Sequence, residues 1–269
     1  MRVLVTTAVT VERDSVAAAF TTTAREHAIP GAALSRLAPR ADRSAVSDDV
    51  RDPVRDPGDP GDPGDPVRGR LVVDLLAGGV GPAAAAASTA TALTAAVLAG
   101  EPYDVVVSAG IGGGFQPDAP VGSLVLADEI TVADLGAETP GGFTPVTGLG
   151  FGAVTHRPPE SLVREVAAVT GARLGTVLTV STVTGSAARA AELRRRHPRA
   201  LAEAMEGFGV AEAAAAHGVP VLEIRAVSNP VGPRDRAAWR IGDALTALTG
   251  AFGKLAPVLE SWNPHDRTH

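Results

Sequence analysis

Two polar side chains interrupt apolar stretches in the second half of the chain. Glu206 lies within residues 204–211, a run of small and apolar residues that we predict to be helical, and Asn229 ends an apolar run that we predict to be a buried strand. A carboxylate among apolar residues is costly unless it is paired or used. Together the two side chains indicate a pocket in which Glu206 binds a hydroxyl group and Asn229 binds ring nitrogens. The structural alternative is that Glu206 lies on the solvent face of its helix.

A second carboxylate, Glu12, follows the first predicted strand, which we place at residues 2–7. An acidic residue in the first turn of a helix is stabilised by the helix dipole, and this is a sufficient structural reason for its presence. The functional alternative is a general base, because Glu12 would stand at the same edge of the sheet as Asn229.

Two glycine-rich segments, at residues 78–81 and 110–114, also follow predicted strands. The second runs into a loop that begins with Phe115-Gln116-Pro117, not into a helix, which argues against a dinucleotide fingerprint. The first lacks the Lys-Ser or Lys-Thr ending of a Walker loop. Glycine lets a backbone approach a flat ligand closely, and this is the functional interpretation of both segments. A plain turn is the structural alternative.

Short apolar strands alternate with helices along the chain. The predicted strands are residues 2–7, 71–76, 104–108, 175–181 and 219–227, with one or two more strands in residues 123–133. The predicted helices are residues 11–27, 83–98, 160–169, 187–196, 199–217 and 236–259. This order predicts an α/β fold, a three-layer sandwich with a central mixed, largely parallel sheet covered on both faces. Ligands of such sheets bind at the carboxyl ends of the strands, where Asn229 lies.

Composition narrows the possible classes of protein. The net charge of −6 argues against a general nucleic-acid binder, and the lack of cysteine excludes disulfides, thiolate metal sites and a cysteine nucleophile. His156, His197 and His217 show no spacing typical of metal ligands. The Ala-rich residues 83–98 are interrupted by hydroxyl side chains and do not resemble a membrane span. We therefore expect a soluble, cytoplasmic protein.

We predict one domain over residues 1–269, with one insertion. Residues 42–68 repeat Arg-Asp-Pro and Gly-Asp-Pro units. Proline removes backbone donors and glycine adds chain entropy, so this segment is predicted to be a disordered surface insertion.

Together these motifs resemble the nucleoside phosphorylase and nucleosidase superfamily, across almost the whole chain except the insertion. Residues 8–12 are similar to the segment that ends in the water-activating glutamate of the nucleosidases. Residues 109–114 are similar to their base-pocket loop, and Met205-Glu206 to the pair that contacts the ribose. Residues 225–229 are similar to the strand end that contacts the purine.

The resemblance implies a nucleoside phosphorylase-like fold and roles for individual residues. Glu12 would activate the water, Glu206 would bind the ribose 2′-hydroxyl, and Asn229 would stabilise the leaving base. Arg225 or nearby backbone is expected to orient Asn229. The candidate substrate-binding residues are Met205, Gly112, Gly113, Ile111, Phe208 and Arg225.

The resemblance also implies partners and cofactors. We expect a small-molecule nucleoside as substrate, with no role for nucleic acid or membrane. Members of the superfamily are usually homo-oligomers, so a dimer or higher assembly is expected. No metal or organic cofactor is expected to take part.

Asn229 departs from the superfamily's methylthioadenosine and adenosylhomocysteine nucleosidases, which have an aspartate at the matching position. A 6-oxopurine presents acceptors at both N7 and O6, whereas adenine presents a donor at its exocyclic amine. The amide of Asn229 can donate to N7 or O6. We therefore predict a 6-oxopurine base such as hypoxanthine.

Water is predicted to be the attacking group rather than phosphate. Residues 6–11 contain none of the arginines with which phosphorylases of the superfamily hold phosphate, and Glu12 would repel a phosphate dianion. Residues 204–211 and 225–235 carry a closer match to a hydrolase branch of the superfamily. A 6-oxopurine nucleoside phosphorylase, another purine nucleosidase and an inert nucleoside-binding protein remain the alternatives.

Overall fold

The computed structural model describes residues 1–37 and 71–262. The predicted insertion at residues 42–68 lies outside the described residues. The strands are β1 (Arg2–Thr7), β2 (Arg25–Ile29), β3 (Ala32–Leu37), β4 (Val72–Ala77), β5 (Val105–Gly114), β6 (Leu124–Val132), β7 (Gly136–Thr139), β8 (Gly142–Pro145), β9 (Thr155–His156), β10 (Arg173–Thr179), β11 (Ala200–Ala204) and β12 (Val221–Pro230). The α-helices are α1 (Thr10–Ala17), α2 (Pro82–Leu98), α3 (Glu160–Thr170), α4 (Ala187–Arg196), α5 (Gly207–Ala216) and α6 (Ile241–Ser261).

The described strands form one large mixed sheet in the order β11-β10-β6-β12-β5-β1-β4-β3-β2, with β9 beside β6 and a separate β7–β8 hairpin. The pairs β1–β4, β1–β5, β5–β12, β6–β10 and β10–β11 are parallel, while β6–β12 is antiparallel. The end of β5 also pairs with β11. This second pairing curls five strands into a partly closed barrel and brings β11 next to β5.

Helices cover both faces of the sheet, which confirms the predicted α/β three-layer arrangement. Helices α1, α3 and α6 pack on one face over a core that includes Val3, Val5 and Phe252. Helices α2 and α5 pack on the other face over a core that includes Leu4 and Val106. Neighbouring residues of β1 contribute to opposite cores because side chains alternate along a strand. Within the described residues, no helix is both long and apolar enough to cross a membrane.

The helix predicted at residues 11–27 is wrong in its second half. Helix α1 ends at Ala17, and the chain then forms the β2–β3 hairpin. Three consecutive threonines at residues 21–23 lose side-chain freedom in a helix. Pro30-Gly31 makes the hairpin turn, with Gly31 at a φ of 71°.

The helix predicted at residues 199–217 is also wrong. Its first part is β11 and its second part is α5, so Glu206 lies at the junction and not inside a helix. Residues 200–204 are extended because β10 pairs along one side and β5 along the other. The two glycines in this stretch reflect close packing. A Cβ on Gly207 would overlap the Glu223 carboxylate, and one on Gly209 would overlap the Pro82 carbonyl.

The glycines at residues 110–114 do not break their strand as predicted; they extend β5 to Gly114. Their lack of side chains is required by neighbouring strands and side chains. A Cβ on Gly112 would lie 2.9 Å from the backbone oxygen of Glu203 on β11. These glycines therefore let β11 and β12 approach β5 at the edge where the candidate site lies.

Candidate active site

The predicted catalytic carboxylates meet where β1, β5 and β11 reach the carboxyl edge of the sheet. Glu12 is only 4% exposed. Its Oε2 accepts hydrogen bonds from the Ala8 and Val9 amides at 3.0 and 3.3 Å, and its Oε1 accepts one from the Ile111 amide at 2.9 Å. Burial raises the pKa of Glu12, although the Ile111 bond and the Arg225 charge lower it. Glu12 therefore lies in the first turn of α1, where the helix dipole stabilises an acidic residue. Its carboxylate is also held by the Ile111 amide of β5.

Glu206 is 6% exposed and is held by three donors. Oε1 accepts from the Gly81 amide at 3.2 Å, at the start of α2. Oε2 accepts from its neighbour Met205 at 3.2 Å and from Arg225 Nη1 at 3.4 Å. The glycine segment at residues 78–81 therefore positions a carboxylate. The alternative that Glu206 faces solvent is wrong.

Arg225 connects these carboxylates from within the core. Its Nε donates to Glu223 Oε1 at 2.9 Å and its Nη2 donates to the Ser108 hydroxyl at 2.9 Å. A Cβ on Gly110 would lie 2.6 Å from Glu12 Oε1 and 2.8 Å from Arg225 Nη1. The Glu12 carboxylate and the Arg225 guanidinium thus converge beside Gly110, where any larger residue would overlap them.

Two members of this cluster, Glu223 and Ser108, were missed in the sequence. Glu223 is fully buried, and its Oε2 has no hydrogen-bond partner among the described residues. Burial raises the pKa of Glu223, against the lowering effect of Arg225. The sequence does contain a sign of Glu223: it stands two residues before Arg225, and residues two apart on a strand lie on the same face.

Asn229 lies on β12 opposite Gly113 and is half-buried. Its Oδ1 accepts from the Ser228 hydroxyl at 2.8 Å, and its Nδ2 donates to the Pro230 carbonyl at 2.9 Å. Arg225 forms its hydrogen bonds with the carboxylates and Ser108, so the expectation that it orients Asn229 is wrong. The Asn229 amide is instead oriented by its neighbours in sequence, the Ser228 hydroxyl and the Pro230 backbone carbonyl. The other expectation, that nearby backbone orients Asn229, fits the Pro230 contact.

The remaining candidate residues flank the same edge. Ile111 and Gly112 pair with Ala226 and Val227 in the β5–β12 register. Met205, half-buried, precedes Glu206. Phe208 is 6% exposed in the first turn of α5, where its ring centroid lies 5.3 Å from that of His156.

A further buried carboxylate, Glu203, supports the loop after β10. Its Oε1 accepts from the Thr184 amide at 2.8 Å, and its Oε2 accepts from the Thr184 hydroxyl. Burial raises the pKa of Glu203, although both bonds from Thr184 lower it. Because Glu203 pairs with Gly113 across the β5–β11 ladder, it ties this loop to the edge that carries the candidate site.

The histidines make structural contacts away from the carboxylate cluster. His156 Nε2 lies 2.7 Å from Glu212 Oε1, and His217 Nε2 lies 3.0 Å from the Thr94 hydroxyl. In residues 1–37 and 71–262, no group of three or more His, Asp or Glu side chains is arranged to hold a metal ion.

Two buried carboxylates bridged by a guanidinium, beside a glycine-lined edge that ends in an amide, fit the class of α/β enzyme that acts on nucleosides. The model of the phosphorylase superfamily matches residues 53–256. The chain is 66% identical over 267 residues to the futalosine hydrolase of Streptomyces coelicolor, covering 99% of this chain and 100% of that protein. It is 46% identical over 194 residues to the futalosine hydrolase of Acidothermus cellulolyticus, covering 70% and 77%.

Solved structures show the same fold. The futalosine hydrolase of Helicobacter pylori matches with a TM-score of 0.71 at 17% identity, covering 96% of this chain and 97% of that one. A methylthioadenosine and adenosylhomocysteine nucleosidase of Neisseria meningitidis matches with a TM-score of 0.70 at 17% identity, covering 97% and 99%. The chain belongs to the phosphorylase superfamily and, within it, to the futalosine hydrolase family.

Proposed function

We propose that this protein hydrolyses the N-glycosidic bond of futalosine, releasing hypoxanthine and dehypoxanthine futalosine, as a step of menaquinone biosynthesis. The cluster of Glu12, Arg225 and Glu206 beside the glycine-lined edge is the observation that carries the chemistry. The 66% identity to a futalosine hydrolase over the whole chain supports the substrate.

Glu206 binds the ribose 2′-hydroxyl and places a negative charge beside the reacting sugar. Breaking the C1′–N9 bond develops positive charge on the ribosyl ring. A fixed carboxylate at low exposure stabilises this charge without having to reorganise. The Gly81 amide and Arg225 hold the Glu206 carboxylate in place from two sides.

Glu12 takes a proton from the water that attacks C1′. Burial raises the pKa of Glu12, which strengthens the carboxylate as a base. Glu12 Oε1 and Arg225 Nη1 both lie close to Gly110, so the proposed base has a positive charge beside it.

Asn229 stabilises the departing base. Its NH₂ group has two hydrogens, and Pro230 takes one of them, which leaves the other for N7 or O6 of a 6-oxopurine. The Pro230 carbonyl can only accept, so its bond with Nδ2 fixes which end of the amide is the donor, and the Ser228 hydroxyl bonds to the other end. Adenine would bring its own amino donor toward this NH₂, so hypoxanthine is favoured.

The choice between water and phosphate is tested by the products. Futalosine incubated with the protein should give hypoxanthine and dehypoxanthine futalosine at the same rate with and without phosphate, and methylthioadenosine should be a poor substrate. A phosphorylated sugar that forms only when phosphate is present would instead show phosphorolysis.

We also propose an oligomeric state and a cellular location for the protein. A cytoplasmic homo-oligomer, a dimer or higher, that needs no metal or organic cofactor follows from the family resemblance. Sedimentation of the protein as a monomer at assay concentration would contradict the oligomer.

A further inference from the structure

The segment at residues 231–240 leaves the sheet after Pro230, one residue beyond Asn229, and its far end returns beside Ser228. The Val231 amide donates to the Gly114 carbonyl at 2.9 Å, and the Arg240 amide donates to the Ser228 carbonyl at 2.8 Å. Both ends of the loop are therefore fixed at the base-binding edge, and the residues between them extend beyond the carboxyl ends of the strands.

This loop carries two guanidinium groups on one indole. The guanidinium carbons of Arg234 and Arg236 lie 5.3 and 5.9 Å from the ring centroid of Trp239, which is half-buried. In the part of the chain that the structure describes, neither arginine has a carboxylate within ion-pair distance. The carboxylate between them, Asp235, accepts from the Ala237 amide at 3.1 Å. Arg240, in contrast, is paired with Asp243 at 2.6 Å.

The expected position of the ribose determines which part of the substrate lies near this loop. With the base between β5 and β12 and the 2′-hydroxyl at Glu206, the sugar meets the α2–α5 side of the sheet through C2′. C4′ and C5′ lie across the ring from C2′ and so extend toward the opposite side, where α1 and α6 pack. The loop enters α6 on that side, and α6 contacts α1 through the bond from the Thr249 hydroxyl to the Ser15 carbonyl at 2.7 Å.

We infer that Arg234 and Arg236, supported by Trp239, bind the carboxylate at the 5′ end of the substrate. This inference rests on the proposed function, because the 5′ chain of futalosine ends in a carboxyphenyl group. Guanidinium groups bind carboxylates through charge-assisted bonds, and an indole offers a flat surface to both cation and phenyl ring. Val9 and Ile241, 39% and 40% exposed, stand at the ends of α1 and α6 nearest the site and give the apolar part of the chain further surface.

The test compares futalosine with its carboxyl methyl ester, which keeps the base, the ribose and the phenyl ring but loses the charge. Wild-type protein should prefer futalosine in kcat/KM by about 10- to 100-fold, as charge-assisted hydrogen bonds allow. The double variant Arg234→Gln/Arg236→Gln should lower the ratio of the two kcat/KM values to within about threefold of unity, mainly through KM for futalosine.

Arg240→Gln is the matched control, because it removes one positive charge from the same loop but from a side chain already paired with Asp243. The ratio of kcat/KM for futalosine to kcat/KM for the ester should stay within about twofold of the wild-type ratio in this variant. This result is expected if direct contact with Arg234 and Arg236, and not the overall positive charge of the loop, causes the preference for futalosine. Equal hydrolysis of futalosine and the ester by wild type, or an unchanged ratio in the double variant, would overturn the inference while leaving the proposed function standing. If neither compound yields hypoxanthine, the proposed function itself fails.

Discussion

One guanidinium is shared among the buried carboxylates of the site. Arg225 bonds to Glu206 and Glu223 and contributes charge to Glu12. Buried charges persist only when they are paired, so each carboxylate depends on the position of Arg225. Glu12 and Glu206 were predictable because their neighbours in sequence resemble a known family. Glu223 was missed, although its spacing of two residues from Arg225 places both side chains on the same face of the strand.

The pH dependence of the reaction should show the raised pKa of Glu12. The proton-accepting form is the carboxylate, so activity is lost as the pH falls through this pKa. Because burial raises it, the acidic limb of kcat/KM should have its midpoint above the ordinary value of 4.5. The measurement is kcat/KM for futalosine across the acidic range. Glu12→Gln should remove nearly all activity, and a midpoint at or below the ordinary value would argue against Glu12 as the base.

Substitutions of Glu223 should test whether it acts by holding Arg225 in position and not by contacting the substrate. In Glu223→Leu, Arg225 Nε loses its acceptor, and we expect a loss of about 3–5 kcal/mol in the free energy of unfolding and a kcat lower by roughly 100-fold. Glu223→Gln keeps an acceptor oxygen and should recover most of kcat. Urea unfolding and steady-state kinetics measure both effects. Glu212→Gln, which removes the charge from the exposed partner of His156, is the control and should change stability by less than about 1 kcal/mol.

At the scale of elements, the junction between β11 and α5 places Glu206, and glycines make that junction possible. Gly209 lets α5 approach the first turn of α2, whose preceding residue Gly81 donates to Glu206. Strong local patterns predicted many elements well, and α4 was predicted with its observed ends at Ala187 and Arg196. Residues 200–204 were not predictable as a strand, since an Ala-rich segment has no strand preference of its own and its state is decided by pairing with β5 and β10.

Gly209→Ala should disturb this junction. The added methyl group would overlap the Pro82 carbonyl, so α2 and α5 must separate. We expect a loss of about 1–3 kcal/mol in stability, together with a lower kcat because the Gly81 amide moves with Pro82. Thermal unfolding and futalosine kinetics give the two readouts.

The matched control is Gly253→Ala in α6, where a Cβ would meet no other atom within 4 Å. Alanine is a better helix former than glycine, so this variant should be more stable by up to about 1 kcal/mol, with unchanged kinetics. A stable, fully active Gly209→Ala variant would show that the close approach of the two helices is not needed.

For the molecule as a whole, the α/β layers position the site and a second buried carboxylate network holds the outer strands. Asp74 on β4 is fully buried and accepts from Arg36 Nε at 2.8 Å, from Tyr103 at 2.6 Å and from Arg2 at 3.3 Å. It thereby attaches the β2–β3 hairpin to the parallel part of the sheet. The layered fold was predictable from alternating strands and helices; the hairpin and the barrel-like closure were not, because they depend on contacts between distant segments.

This network should govern stability in acid. Burial opposes the charge on Asp74, but the bonds from Arg36 and Tyr103 outweigh it and lower its pKa. A lowered carboxyl pKa stabilises the fold fully above the unfolded value, near 3.8, and this contribution is lost as the pH falls through the folded value. Asp74→Asn should therefore cost on the order of 3 kcal/mol near neutral pH and less in acid, which urea unfolding at several pH values can measure. An equal cost at every pH would contradict this role.

Release of hypoxanthine from futalosine is the most direct test of the activity and of the site together. Chromatography of futalosine incubated with wild-type protein should show free hypoxanthine without added phosphate. Glu206→Gln, folded to the same degree by circular dichroism, should release it at least about 1,000-fold more slowly, as expected when an electrostatic contact to the transition state is removed. Intact futalosine after incubation with wild type, or a Glu206→Gln variant that keeps most of the activity, would contradict the assignment.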